Sequence, residues 1–123
     1  MSGREELEQA FAYDREGFEA EAIPHYERAI AAGLDDEQLV KAMLGLGSSL
    51  RNVERIDESV NVLEDAVRRF PDHQGLPVFL AFSLWSAGRK NEALALLARR
   101  LGDGSGYERA IGEYAEDIER SSG

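Results

Sequence analysis

The chain of 123 residues contains no cysteine. That absence excludes disulfide bonds, thiolate metal ligands and thiol nucleophiles, and it fits a reducing compartment such as the cytoplasm. Only two histidines are present, His25 and His73, and neither belongs to an HExxH motif or to a pair with metal-ligand spacing. We therefore expect no metal, no cofactor and no catalytic residue, and we predict that the protein is not an enzyme.

Positive charge is scarce as well, with 14 Lys and Arg against 24 Asp and Glu, which leaves a formal net charge of −10. A field of this sign repels phosphate backbones and anionic lipids, so we expect neither nucleic acid nor membrane as a partner. No run approaches the roughly 20 apolar residues of a membrane-spanning helix, and the first residues, MSGREELEQ, lack the features of a signal peptide. These absences predict a cytoplasmic protein.

Apolar residues recur at helical spacing along almost the whole chain, and no window alternates as a strand would. A representative run is Leu39, Val40, Met43, Leu46 and Leu50. Short segments rich in Gly, Pro, Asn and Asp interrupt this pattern and divide the chain into about seven helices. Helices of this length with short connections suit antiparallel hairpins.

Several helix starts carry residues with a specific role. Asp36, Asp57 and Asn91 stand where a side-chain oxygen could accept a hydrogen bond from a free N–H group in the first turn, so we predict that they are N-caps. Pro24 falls in the first turns of the second helix. Because proline has no N–H group and its ring crowds the preceding turn, that helix is expected to start late or to bend.

An internal repeat of 34 to 37 residues relates three of these hairpins. The turn residues Gly17, Glu54 and Gly88 are separated by 37 and 34 residues. The same two intervals relate three large residues, Tyr26, Leu63 and Leu97. A period of this length is typical of helical-repeat solenoids.

Three stretches carry a recognisable version of the repeat. They are AEAIPHYERAI at 20–30, Leu46-Gly47 with Ala66-Val67 and Pro71, and GRKNEAL at 88–94. In these residues the chain resembles the tetratricopeptide repeat family, and it is similar to a group of short bacterial proteins that carry degenerate repeats of this kind and form dimers. Arg100 departs from the pattern, since a small residue is usual at its position, and this indicates a looser or solvent-facing contact.

The resemblance implies an all-α fold, a right-handed α-α superhelix of three helical hairpins plus a C-terminal capping helix. We expect a single domain over 1–123, with repeats at about 3–36, 40–73 and 74–105 and the capping helix at about 107–120. That last segment is amphipathic, and terminal repeats need such a cover for their apolar face. The Gly-Asp-Gly-Ser-Gly hinge before it would also let the helix swing away or exchange with a second subunit.

In the family geometry, the first helices of the hairpins line a concave groove that meets the partner. The candidate partner-binding residues are Phe11, Arg15, Lys41, Leu44, Arg51, Val78, Phe79, Phe82 and Trp85, with Leu7, Ser48 and Asn52 also on this surface. The first helix of the third hairpin is apolar on both sides, so its aromatic residues are either covered by neighbouring helices or form a binding surface. Arginines and lysines near these aromatic residues favour a partner with apolar anchors and carboxylates.

We therefore predict a protein-protein interaction module or scaffold that binds a protein or peptide segment, or a second copy of itself as a homodimer, through an aromatic concave groove. The alternative is a regulatory protein that senses a peptide or small ligand, whose C-terminal helix responds when the groove is occupied. Closure of the groove by Tyr107 and Tyr114 would favour this alternative.

Overall fold

The computed structural model describes residues 1–121. Within that range the backbone forms seven α-helices and no strand. The helices are α1 (Gly3–Arg15), α2 (Glu19–Ala32), α3 (Asp36–Asn52), α4 (Ile56–Arg69), α5 (Gly75–Ser86), α6 (Lys90–Gly102) and α7 (Glu108–Arg120). The predicted all-α fold with about seven helices is confirmed.

The helices pack in chain order, each against the next. The first helices of successive hairpins are also neighbours, because α1 contacts α3 and α3 contacts α5. Two adjoining apolar clusters form the core, one centred on α1 to α3 and the other on α3 to α6. This arrangement places α1, α3 and α5 side by side, which is what a groove along the first helices requires.

Small residues allow the helices to approach closely at the positions that the repeat predicts. The buried members are Ala10, Gly47 and Ala81 in the first helices and Ala22, Ser59 and Ala93 in the second helices. In the second hairpin a Cβ atom on Gly47 would lie 2.5 Å from Cγ of Leu63. The Ser59 hydroxyl lies 2.6 Å from the carbonyl oxygen of Gly47, to which it donates, so the two backbones are fixed at short range.

The three predicted N-caps are wrong: Asp36, Asp57 and Asn91. The side chain of Asp35 caps α3 instead, accepting a hydrogen bond of 2.8 Å from the backbone N–H of Gln38. Arg55 and Arg89 occupy the N-cap positions of α4 and α6 without a capping hydrogen bond from their side chains. Each helix begins one or two residues earlier than the pattern predicted, so the predicted caps lie inside the first turn, where the helix dipole favours negative charge.

Pro24 lies inside α2 with its ring exposed. The helix begins at Glu19, five residues before the proline, so the expected late start is wrong. The capping hydrogen bond that a polar side chain would supply is also missing, because Phe18 is the N-cap residue. Packing of Ala22, Ile23 and Tyr26 against the neighbouring helices stabilises α2 despite these local costs.

The C-terminal helix α7 packs against α6 and, within residues 1–121, against no other helix. Ala115 is buried in this contact, and a Cβ atom on Gly102 would lie 2.5 Å from Cδ1 of Ile111. An ion pair of 2.5 Å between Arg99 and Glu119 supports it from the side. The expected cover is therefore present on the last repeat, but it lies against one side of α6 and leaves α5 uncovered.

Candidate functional site

A cleft of about 580 Å³ lies where α1, α2, α3 and α5 meet, and we call it the groove. It is lined by five of the residues predicted for partner binding: Phe11, Arg15, Lys41, Leu44 and Phe79. The first helix of every hairpin, α1, α3 and α5, contributes to this lining because α3 lies between the other two. Phe11, Leu44 and Phe79 are all half-buried, so part of each side chain is available to a ligand.

The floor of the groove is a buried tyrosine held by a carboxylate. Tyr26 donates a hydrogen bond through its hydroxyl to Oδ2 of Asp14, and the Ser49 hydroxyl donates to Oδ1 of the same residue at 3.4 Å. Phe11 packs edge-on against the Tyr26 ring, with 6.0 Å between the ring centres. Burial of Tyr26, followed by its hydrogen bond to the Asp14 carboxylate, raises the pKa of the tyrosine well above its ordinary value. The hydroxyl therefore remains a donor.

Asp14 was not among the predicted site residues. Its partners Tyr26 and Ser49 are 12 and 35 residues away along the chain, so local spacing carries no sign of the cluster. The position of Tyr26 in the repeat indicated only that the ring fills the space between helices. Alignment of α1 against α2 as an antiparallel hairpin would have placed Tyr26 and Asp14 near each other. It would not have shown that their side chains form a hydrogen bond.

The rim of the groove is positively charged in a protein that is otherwise acidic. Arg15 forms no ion pair with any residue in 1–121. Lys41 has only an exposed contact of 3.7 Å with Glu37, which contributes little in water. Asp14, the acidic residue of the lining, already accepts two hydrogen bonds from the protein. An approaching ligand therefore meets two available cations.

Three further predicted residues lie beside the groove rather than in its lining: Arg51, Phe82 and Trp85. The Arg51 guanidinium lies 6.0 Å from the ring centre of Phe82, and its Nε donates to Oγ of Ser86 at 3.0 Å. Phe82 is 48 % exposed and Trp85 is 57 % exposed. The interpretation that neighbouring helices cover these aromatic residues is therefore wrong for both of them. Phe79, which is half-buried, packs edge-on against Phe82.

Two of the residues assigned to the groove from the sequence lie elsewhere. Val78 lines a second cleft together with Leu97 and Leu101 of α6, because it stands at the start of α5, on the side that faces the end of the last hairpin. Leu7 is buried in the core cluster that α1, α2 and α3 form. Neither side chain belongs to the lining of the groove.

The C-terminal helix does not close the groove. Tyr107 and Tyr114 are largely exposed, and α7 contacts only α6 among the described helices. The closure by Tyr107 and Tyr114 that would favour a sensing role for this helix is therefore not seen in residues 1–121.

Both histidines have structural partners. Nδ1 of His25 lies 2.6 Å from Oε2 of Glu6, and the His25 ring stacks on Tyr13. Nδ1 of His73 accepts hydrogen bonds of 3.2 Å from the backbone N–H groups of Gly75 and Leu76. Within residues 1–121, no group of three or more His, Cys, Asp or Glu side chains could hold a metal ion.

Across the described part of the chain, no helix is both long enough and apolar enough to cross a bilayer.

Comparison with known proteins agrees with this architecture. The tetratrico peptide repeat family model matches residues 3–118, which is nearly the whole chain. A search of curated proteins found no match. Proteins with these repeats are in general non-catalytic modules for protein-protein interaction. The row of helical hairpins and the extent of the match together show that this chain belongs to the tetratricopeptide repeat family.

Proposed function

We propose that the protein binds a segment of a partner protein in the groove, and that this segment combines apolar side chains with carboxylates. The observation that carries the proposal is the pairing of three half-buried apolar residues with two available cations in a chain of net charge −10. A cytoplasmic location, expected from the sequence, is part of the same proposal.

The apolar part of the groove suits a small number of anchoring side chains. Phe11, Leu44 and Phe79 come from three different helices, so the shape of the cleft is fixed by helix packing rather than by a loop. Tyr26 beneath them is held by its hydrogen bond to Asp14. A preformed apolar cleft needs little ordering when a ligand enters, which favours affinity.

The charged part of the groove favours an acidic segment over a basic one. Arg15 lies on α1 and Lys41 on α3, so a bound segment can meet a cation from each of the two helices. Elsewhere the surface carries an excess of carboxylates that repels an acidic segment. Opposite charge confined to the groove would guide such a segment to this site and set its register.

Selection of binders from a random dodecapeptide library on the immobilised full chain tests the proposal. We expect the selected peptides to be enriched in Asp and Glu next to Leu, Phe or Trp. The double variant Arg15→Glu, Lys41→Glu should bind them at least about tenfold more weakly in fluorescence anisotropy, because two attractive contacts become repulsive.

The matched control is Arg4→Glu, Arg109→Glu, which changes the net charge equally at two exposed positions outside the groove. It should retain near wild-type affinity. Equal weakening by both double variants would show that only the overall charge matters. Unchanged binding in the groove variant would exclude the groove as the binding site.

A second copy of the chain is the alternative partner, and the exposure of Phe82 and Trp85 favours it. A homodimer through these residues would have twice the chain mass of 13.6 kDa by light scattering, and the double variant Phe82→Asp, Trp85→Asp would return it to a folded monomer. A wild-type mass of 13.6 kDa across a dilution series would remove this alternative.

A further inference from the structure

Exposed apolar side chains are concentrated at one end of the molecule. Three of them lie on α5 and three on α6: Val78, Phe82, Trp85, Leu94, Leu97 and Leu101. We call this surface the open end. None of these six residues lines the groove, and Phe82 joins the two surfaces through its contact with Phe79 of the groove lining.

The repeat shows why the α6 residues are exposed. Leu94 and Leu97 are 54 % and 36 % exposed, whereas residues at the same repeat positions in α2 and α4 are fully buried: Ile23 and Tyr26, Val60 and Leu63. In the first two hairpins this face of the second helix is covered by the first helix of the next hairpin, α3 or α5. The last hairpin has the same face without the helix that would cover it.

The C-terminal helix does not fill this position, because it packs on a different side of α6. Ala95 is buried, although the residues at its repeat position in the preceding hairpins, Pro24 and Asn61, are exposed. A buried Ala95 indicates that α7 covers the outer side of α6, where the other second helices face solvent. Leu101, which points away from that contact, remains 89 % exposed.

A charged residue lies among the apolar residues of the open end. Arg100 takes the repeat position of Ala29 and Ala66, and it lines a cleft of about 700 Å³ with Val78, Leu97 and Leu101. Its Nη2 atom is buried and has no hydrogen-bond partner within residues 1–121. A buried guanidinium nitrogen without a partner is costly, and a carboxylate is the group that satisfies it best.

We propose that the open end binds an amphipathic helix of a partner protein that carries a carboxylate within its apolar face. The helix packs across α5 and α6 as α5 packs across α3 and α4, and its carboxylate pairs with Arg100. Asp72 and Asp103 also line the cleft and outnumber Arg100 there, so the carboxylate is recognised through its hydrogen bond to Nη2 of Arg100, and the rest of the partner's apolar face is free of acidic groups. A second copy of the chain is disfavoured because it brings two molecules of net charge −10 together.

The fold itself supplies a probe for this site. The helix α3 covers the corresponding face of α2, with Gly45 against the ring of Tyr26. Ala42, one turn earlier on α3, belongs to the same buried cluster as Ala29, which holds the repeat position of Arg100. A blocked peptide of residues 35–53 should therefore dock on the open end, and its Ala42→Glu form should bring a carboxylate to Arg100.

Fluorescence anisotropy with the full chain compares these two peptides. We expect the Ala42→Glu peptide to bind at least about tenfold more tightly than the unmodified peptide. Arg100→Ala in the protein should abolish this difference, and Leu101→Asp should weaken both peptides. The melting temperature of Leu101→Asp should match wild type, since Leu101 is exposed, and that of Arg100→Ala should be no lower than wild type, since the substitution removes a buried nitrogen without a hydrogen-bond partner.

Methyl NMR spectra locate the bound peptide. Shifts at Leu94, Leu97 and Leu101 are expected. Shifts at Leu44 would place the peptide in the groove, and shifts confined to Ile111 and Ile118 would place it against α7, so either result would overturn the proposal. It would also be overturned if neither peptide bound, if Arg100→Ala left the tenfold difference intact, or if Leu101→Asp converted a wild-type dimer into a monomer.

Discussion

Substitution of Ala66 by arginine is expected to lower the free energy of unfolding by about 2–4 kcal/mol. Ala66 is fully buried in the cluster that joins α4 to α5, and a long charged side chain has no space there. The guanidinium would have to remain without a partner or push the helices apart, and both are costly. Urea unfolding followed by circular dichroism measures the loss.

Arg100→Ala is the matched control, because residue 100 has the same repeat position as residue 66. Among the described helices none packs on that side of α6, and the exchange removes a buried guanidinium nitrogen without a hydrogen-bond partner, so it should not lower the free energy of unfolding. The two substitutions thus compare alanine with arginine at the same repeat position, once in a repeat that the next helix covers and once in the repeat that it does not. An unchanged stability of Ala66→Arg would show that the repeat register is wrong.

Tyr26→Ala is expected to destabilise the fold by about 3–5 kcal/mol, since it removes a buried aromatic ring between α1, α2 and α3. The substitution also takes the hydroxyl from Asp14, whose carboxylate would then lie in the groove with one protein hydrogen bond fewer. Groove affinity for acidic peptides should fall as well, because the Asp14 carboxylate loses the hydroxyl that donates to it and presents its negative charge more openly to the ligand. Thermal unfolding and peptide anisotropy measure the two effects.

Tyr26→Phe separates the ring from the hydroxyl. It keeps the packing and removes only the hydrogen bond, so we expect a loss of about 1–3 kcal/mol. Its effect on acidic peptides should equal that of Tyr26→Ala, because the two variants free the same carboxylate. If peptide affinity fell only in Tyr26→Ala, the shape of the floor rather than the charge of Asp14 would control binding.

The helices and their order could be predicted because they depend on features that are local in the chain. Apolar spacing and the turn residues place the seven helices, and the repeat places the small residues Gly47 and Ser59 at close contacts. Five of the nine predicted binding residues line one cleft for the same reason: the repeat fixes which side of each first helix faces its neighbours.

Other features depend on pairings that no repeat encodes. The hydrogen bond between Tyr26 and Asp14 joins side chains that meet only after α1 and α2 have packed. The side of α6 that α7 covers depends on a balance between the Ala95 face and the Leu97 face, and both are apolar enough to accept a helix. That choice decides whether Phe82 and Trp85 are buried, so the pattern of α5 alone left two interpretations open.

The restriction of helix contacts to near neighbours has a consequence for the cooperativity of folding. Since α7 touches only α6 among the helices of residues 1–121, its loss would break no contact with the first two hairpins, and the molecule can open stepwise from its C-terminal end. A ligand that bridges α5 and α6 would hold the two helices of the last hairpin together. Ligand binding at the open end would then slow hydrogen exchange of the backbone amides there, and this protection would be measurable well before any change of shape.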